Sequence, residues 1–192
     1  MSDNYSLIIK NGSCYIGGKF ENIDLAITGS KIKKIGKIDL NSSKVFDATG
    51  KIVLPGVIDT QVHFREPGEN DAENLESGSR AAVAGGVTSV FEMPNTNPPT
   101  SNMKEFQRKI DLAKNRMYCN HAFYFGATAD NADDLASLDG LEGCCGIKLF
   151  AGSSTGNLLV AEEDDIDKVF KNASKVVAVH SEDEAILNIN KK

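Results

Sequence analysis

Short runs in which apolar and polar residues alternate occupy residues 5 to 53. The runs read YSLIIKNG, CYIGGKF, IDLAITGSKIKKIG and KVFDATGKIVLPG, and Gly, Asn or Asp separates them. Alternation with a period of two between turn-forming residues is typical of β-hairpins. We therefore predict a small β-sandwich domain over residues 1–54, whose closure would need strands from elsewhere.

After Pro55 the pattern changes to apolar runs that alternate with amphipathic segments. The apolar runs predict strands at 57–64, 87–93, 119–127, 143–150 and 175–180. The amphipathic segments predict helices near 72–85, 101–115, 130–138, 162–172 and 182–190, with Ser101 as an N-cap. Repeated β/α units predict an α/β domain over residues 55–192 with a parallel sheet. A doubly wound sheet and a TIM-type (β/α) barrel both fit, but GxGxxG is absent after the first strand, which weakens the nucleotide-binding option.

Charge and composition narrow the function classes. The 192 residues include 21 Lys and Arg against 27 Asp and Glu, a net charge of −6. A mildly acidic chain is a poor candidate for binding nucleic-acid phosphates. No apolar run is long enough to span a bilayer, and the N-terminus lacks a secretion pattern. We therefore expect a cytoplasmic protein with no nucleic-acid or membrane partner, whose cysteines are reduced and mostly buried.

The segment DTQVHFR places polar residues at every second position of the first predicted barrel strand. Since strand side chains alternate between faces, Asp59, Gln61, His63 and Arg65 are expected to project one way. In a barrel this face would point inward at the carboxyl end of the strand, where barrel active sites lie. The alternative is a buried ion-pair network, because burying such groups together is costly unless they are paired or bound to a metal.

Two later strands add polar residues at corresponding places. Lys148 lies within the apolar strand GCCGIKLF, and His180 ends the strand KVVAVH. A buried lysine has a lowered pKa and reacts as a neutral amine, although a lone lysine or histidine is more often structural. Together with His63 they form a constellation in which imidazole would suit zinc. The following loop, GSSTGN, lacks the ending of a P-loop and is interpreted as an active-site loop.

Four segments in order resemble the dihydroorotases of the cyclic amidohydrolase superfamily. They are DTQVHFREPG, EMPNTNPP, GIKLFAGSSTG and AVHSEDEA. The resemblance is to the bacterial subgroup with Gln in the first metal motif. It implies a partial amidohydrolase barrel beside the small β-sandwich. It also implies a small-molecule reaction in pyrimidine synthesis, the reversible hydrolysis of L-dihydroorotate to N-carbamoyl-L-aspartate.

The same resemblance implies roles for individual residues. His63, Lys148 and His180 would be ligands of one or two Zn²⁺ ions, with Lys148 catalytic and carbamoylated. Arg65 and Asn95 would hold the substrate carboxylate, a task that suits the bidentate guanidinium fork. Gln61 and Asp59 are expected to act as weaker metal ligands or to support the ligands; for Asp59 the alternative is a salt bridge to Arg65.

The sequence departs from the family pattern in two ways. Gln61 replaces a histidine of the commoner metal motif, and only five β/α units are present where an eight-stranded barrel needs three more. We therefore expect the N-terminal portion of a longer enzyme, and we expect a homo-oligomer. The alternatives are another cyclic amidohydrolase, of hydantoinase or allantoinase type, and a non-catalytic amidohydrolase-like scaffold.

Overall fold

The computed structural model describes residues 5–39, 44–152 and 157–191. The chain folds as two compact units, Met1–Pro55 and Gly56–Lys192. Most of the loop that we interpreted as an active-site loop, residues 153–156, lies outside the described residues.

The first unit is built on one mixed sheet of five strands. Its strands are β1 (Leu7–Ile16), β2 (Lys19–Thr28), β3 (Lys31–Gly36), β4 (Val45–Asp47) and β5 (Ile52–Val53). The hairpins β1–β2 and β2–β3 are antiparallel, whereas β4 and β5 both pair with β1 in parallel. A small core of Tyr5, Ile8, Ala26 and Ile38 fills this unit, which is the predicted N-terminal β domain.

The second unit contains a parallel sheet in which the strand order follows the chain order. Its strands are β6 (Val57–Val62), β7 (Val87–Glu92), β8 (Asn120–Gly126), β9 (Cys144–Phe150) and β10 (Val177–His180). Helices cover the connections: α1 (Leu75–Ala84), α2 (Met103–Ala113), the 3₁₀ helix Ala132–Leu138, α3 (Glu163–Asn172) and, after β10, α4 (Glu184–Asn190). A doubly wound sheet would reverse its strand order at a switch point, so the sequential order is that of part of a TIM-type barrel.

Side-chain caps fix where the first two helices begin. Asn74 caps α1, where its side chain accepts from the Ser77 backbone and the Ser77 side chain accepts from the Asn74 backbone. Asn102 caps α2 by accepting from the Glu105 backbone. The prediction of Ser101 as this N-cap was therefore wrong by one residue. Glu163 and two following aspartates open α3, where the helix dipole favours negative charge.

Alternation along the strands separates the helix-facing core from the opposite face of the sheet. Val62, Phe64, Ile147 and Leu149 belong to the main hydrophobic core with the covering helices. Alternation predicts that Ile58 and Thr60 share the helix-facing side with Val62, but both are exposed. Phe64 packs so closely on Gly78 of α1 that a β-carbon there would lie 2.4 Å from its ring. Within the described part of the chain, no helix has the length and apolar character needed to cross a membrane.

Candidate active site

The carboxyl ends of the parallel strands carry most of the predicted site residues. His63 and Arg65 follow β6, Asn95 follows β7, and Lys148 lies two residues before the end of β9. His180 is the last residue of β10 and pairs in register with Phe150. Because carboxyl ends of neighbouring parallel strands meet at one edge of the sheet, these residues share that edge.

His63 lies among other polar residues of the site. The residue is half-buried, and burial is the largest cause that lowers the pKa of its imidazole. The positive charges of Arg65 and Lys148 lower that pKa further, while the side chain of Asn95 raises it. The structure therefore brings Arg65, Asn95 and Lys148 within electrostatic reach of His63. Loss of a proton leaves the imidazole nitrogen free to ligate a metal.

Lys148 is the most buried of the predicted site residues. It is 4% exposed, and its Nζ lies 5.0 Å from the centre of the Phe150 ring. Burial lowers the pKa of the Lys148 amine. Among the described residues, no carboxylate oxygen lies within ion-pair distance of this nitrogen. Burial thus shifts the amine toward its neutral, nucleophilic form.

His180 and Lys148 both lie close to the same aromatic ring, that of Phe150. The ring of Phe150, which Lys148 contacts, is 6.1 Å from the His180 ring. His180 Nε2 lies 3.1 Å from Glu182 Oε2, so the imidazole is held by the loop that follows β10. In contrast, His121 is exposed near the start of β8, at the opposite end of the sheet. It therefore lies away from the predicted site residues.

Arg65 does not continue the strand as the alternation predicted. β6 ends at Val62, and Arg65 has a backbone φ of +60°, in the left-handed region. Its backbone carbonyl accepts from Glu69 N at 2.9 Å, which closes a turn. The guanidinium is therefore placed by a turn after the strand and not by the pleat of the strand.

Asp59 and Gln61 differ from the other predicted residues. Asp59 is half-buried, and its Oδ1 accepts from the Gln61 backbone at 3.0 Å. The predicted alternative of an Asp59–Arg65 salt bridge is wrong for the described residues, where Arg65 pairs with Glu69, Nε to Oε2, at 3.9 Å. The residue Gln61 is exposed.

The sequence interpretation missed a buried ion pair next to the site. Glu92, the last residue of β7, accepts a hydrogen bond from Lys109 of α2, and neither side chain is more than 1% exposed. Burial raises the pKa of Glu92 to about 7, although Lys109 opposes this shift. The signal was the helical spacing of Phe106, Lys109 and Ala113, all buried in α2, which places the lysine on the core face.

A second buried carboxylate lies in the turn that follows β6. The polar sequence REPGE predicts that Glu66 and Glu69 both lie at the loop surface. Glu69 is exposed, but Glu66 is only 4% exposed, so the prediction is wrong for Glu66. Both Glu66 oxygens accept from the Arg116 guanidinium, at 2.8 and 3.1 Å. The rule that charged residues lie at the surface failed because a partner distant in sequence satisfies this one.

The donors at this edge fit zinc in part. No group of three or more His, Cys, Asp or Glu side chains within the described ranges is arranged to hold a metal ion. The available donors are the imidazoles of His63 and His180 and the buried amine of Lys148, which would become an oxygen donor as a carbamate. Asn95 Oδ1 is buried and forms no hydrogen bond of ordinary geometry among the described residues, although the Asn95 side chain lies near enough to His63 to raise its pKa. A polar atom in that condition suits a pocket that closes around a bound group.

Comparison with known proteins agrees with this geometry. The family model described as dihydro-orotase-like matches residues 50–189. A dihydroorotase from Methanosarcina mazei is 37% identical over 180 residues, which is 92% of this chain and 39% of that protein. An allantoinase from Salmonella choleraesuis is 35% identical over 192 residues, 95% of this chain and 42% of that protein. The chain thus spans about two fifths of the length of these relatives.

Solved structures confirm the fold as part of an amidohydrolase barrel with an N-terminal β domain. An L-hydantoinase from Arthrobacter aurescens superposes with a TM-score of 0.88 at 27% identity, covering 96% of this chain and 42% of that one. A D-hydantoinase from Thermus sp. gives a TM-score of 0.79 at 26% identity, covering 95% of this chain and 42% of that one. From the family match, the site and the fold together, the chain belongs to the dihydroorotase-like family of cyclic amidohydrolases.

Proposed function

We propose that the chain carries the metal-binding and carboxylate-binding part of a dihydroorotase. The reaction is the reversible hydrolysis of the cyclic amide of L-dihydroorotate to N-carbamoyl-L-aspartate, in pyrimidine synthesis. The observation that supports the proposal is that Arg65 and Asn95 both lie near enough to His63 to shift the pKa of its imidazole. A cation and an amide next to candidate metal ligands suit a substrate with a carboxylate close to the bond that is cleaved.

Each residue has a separate task in this proposal. Arg65 pairs with the ring carboxylate through its fork, and Asn95 donates a hydrogen bond to the same group, so the amide is oriented. The neutral Lys148 amine attacks the carbon of CO₂, an N–C bond forms and a proton leaves, which yields a carbamate. His63, His180 and the Lys148 carbamate would hold the zinc, with Gln61 and Asp59 as weaker or supporting groups. When bound, zinc supplies a Lewis acid and lowers the pKa of water near the amide.

Allantoinase or hydantoinase activity is the second candidate. The curated matches include an allantoinase at 35% identity, and the superposed structures are hydantoinases. Allantoin and hydantoin have no ring carboxylate, so they give Arg65 no group to pair with. A non-catalytic scaffold is the third candidate, and it would have no need of a buried Lys148 that has no carboxylate partner among the described residues.

A substrate panel with one variant pair tests the proposal. The full-length protein is purified with zinc and bicarbonate and assayed with dihydroorotate, allantoin and hydantoin. We expect turnover of dihydroorotate, and Arg65→Ala should lower its kcat/KM about 100-fold, because a lost charge-assisted pair costs about 3 kcal/mol. Arg80→Ala is the matched control, since Arg80 is exposed on α1. Preference for allantoin or hydantoin would favour the second candidate, and no turnover of any substrate the third.

Zinc content tests the ligands without an assay of activity. We expect His63→Ala and Lys148→Ala to lower the zinc bound per chain, and His121→Ala to leave it unchanged. Equal zinc in all of these proteins would refute the ligand assignment. The homo-oligomer and the cytoplasmic location stay predictions.

A further inference from the structure

Arg65 needs support from its surroundings. A left-handed backbone at a residue other than glycine is unfavourable, so the neighbouring structure must hold it. The Glu69 backbone N–H donates to the Arg65 carbonyl, but this contact lies within the same short loop. The exposed Glu69 side chain is 3.9 Å from the guanidinium, and a contact of this kind contributes little.

The next residue, Glu66, supplies an anchor to two other elements. One of its oxygens, Oε2, accepts from the Leu75 backbone at 2.9 Å, at the start of α1. Both oxygens also accept from Arg116, which lies between α2 and β8, fifty residues along the chain. Burial alone would raise the pKa of Glu66, but the hydrogen bonds from Arg116 and Leu75 bring it below its ordinary value. The carboxylate is therefore held in its charged form by donors from both sides.

Arg116 is itself fixed in place. Its Nη1 donates to the Leu112 carbonyl at 3.0 Å, in the last turn of α2, as well as to Glu66. Its side chain is 33% exposed, so the guanidinium has one side toward solvent. A planar guanidinium that pairs in bidentate fashion and also binds the backbone restricts the rotation of the carboxylate that it holds.

The anchored loop also contacts the loop that carries Asn95. The Asn97 backbone donates to the Pro67 carbonyl at 2.9 Å. Gly68 lies so close to Asn97 that a β-carbon at Gly68 would be 2.7 Å from the Asn97 side chain. Displacement of Glu66 would therefore disturb the relative positions of Arg65 and Asn95.

We infer that Arg116 is a positioning residue for recognition of the substrate carboxylate: through its bidentate pair with Glu66 it orients the turn that presents Arg65. The inference rests on the proposed function, since it concerns how Arg65 meets an anionic substrate. Arg116 acts in it only through Glu66 and the loop, without touching the substrate.

Kinetics of the zinc-loaded protein test this role. Arg116→Met should raise the KM for dihydroorotate about tenfold with little change in kcat, because it weakens a contact present in both ground and transition states. Arg116→Lys keeps the charge but loses the bidentate fork, so its KM should lie between those of the wild type and Arg116→Met. The matched control is Arg108→Met, since Arg108 is exposed on α2 and pairs only with Glu105 among the described residues. An Arg116→Met protein with the KM of the wild type would overturn the inference.

A double-variant cycle separates positioning from general damage. If Arg116 acts through Arg65, adding Arg116→Met to Arg65→Ala should leave the KM of Arg65→Ala unchanged. A further tenfold increase in the double variant would overturn the inference. Amide exchange at Leu75 gives a readout that needs no substrate: it should accelerate in Arg116→Met and Glu66→Gln but not in Arg108→Met. Unchanged exchange would show that Arg116 does not hold the Glu66 anchor.

The outcomes also distinguish the two proposals. Wild-type protein that turns over dihydroorotate, with an unaltered Arg116→Met KM, refutes the positioning role and leaves the proposed function standing. Wild-type protein that neither binds nor turns over dihydroorotate refutes the proposed function and, with it, the carboxylate role inferred for Arg116. If Arg116→Met fails to fold, Arg116→Lys and Glu66→Gln carry the same comparison with smaller changes.

Discussion

Two buried carboxylates flank the candidate site, and their environments differ. Glu66 accepts from the two ends of one guanidinium and from a backbone amide, and its pKa is lowered. Glu92 accepts from Lys109 and is also stabilised by the Phe64 backbone, but its Oε1 has no hydrogen bond of ordinary geometry in the part of the chain that the structure describes. Burial raises the pKa of Glu92 to about 7. The same side chain thus holds its charge at one position and tends to lose it at the other.

The difference lies in the number of donors and in access to water. Arg116 is one-third exposed and supplies a fork, whereas Lys109 is completely buried and also donates to the Met93 carbonyl at 3.1 Å. Taking two charges out of water is repaid only when the remaining lone pairs and protons are satisfied. Burial therefore predicts the strength of an ion pair poorly until the donors are counted.

The largest expected effect comes from breaking the deeper pair. Lys109→Met leaves Glu92 buried without its cation, and we expect the free energy of unfolding to fall by about 3–5 kcal/mol. The measurement is urea unfolding followed by the helical circular dichroism signal, which reports the unit Gly56–Lys192 because all described helices lie there. The control is the double variant Lys109→Met with Glu92→Leu, which should recover most of the loss. A single variant as stable as the wild type would mean that the buried charge is already neutralised.

The pH dependence of stability sharpens the comparison at Glu92. Its pKa is raised from 4.5 to about 7 on folding, so the folded state binds the additional proton between these values. The contribution of Glu92 to the free energy of unfolding should therefore fall by about 2–3 kcal/mol as the pH rises from about 4.5 to about 7. We expect the Glu92→Gln protein to lack this decline when unfolding is measured by urea at several pH values. An identical slope in both proteins would contradict the raised pKa.

At Glu66 we expect a smaller loss of stability than at Glu92, and a pH dependence of stability with the opposite sign. Arg116→Met should lower the free energy of unfolding by about 1–3 kcal/mol at neutral pH, less than Lys109→Met, since water reaches the partner side. Because folding lowers the pKa of Glu66, its contribution is present above about 4.5 and is lost as the pH falls through the lower folded value. The wild-type protein should thus lose more stability on acidification than Arg116→Met does. An equal loss, with Arg108→Met as reference, would remove the distinction between the two carboxylates.

Sequence patterns predicted the strands of this region and where they end more readily than its buried ion pairs. Period-two alternation predicted the buried Val62 correctly but failed for Ile58, which is exposed, and strand ends predicted where Lys148 and His180 lie. Alternation failed for Arg65, because the strand ends three residues earlier and a left-handed turn follows. A period describes regular backbone only, so a turn after a strand has to be inferred by other means.

The sequence interpretation missed the two buried ion pairs for a different reason. Glu66 and Arg116 are fifty residues apart, and Glu92 and Lys109 are seventeen apart. Each residue alone is of a type that usually lies at the surface, and no local rule connects it to its partner. Only Lys109 carried a local signal, through its helical spacing from the buried Phe106 and Ala113. The chemistry of a site can thus be predicted from short motifs more readily than the contacts that hold its loops.

The smallest expected effect is at an exposed ion pair, which serves as the reference for the two buried pairs. Lys171 and Asp167 form an exposed pair on α3, with Nζ and Oδ2 3.7 Å apart and both side chains at least 70% exposed. Lys171→Ala should change the free energy of unfolding by less than about 0.5 kcal/mol, because water already solvates both charges. The same urea measurement checks this value. If Lys171→Ala cost as much as Arg116→Met, loss of any one positive charge from this acidic chain would explain both results. The bidentate hydrogen bonds of Glu66 would then have no separate stabilising effect.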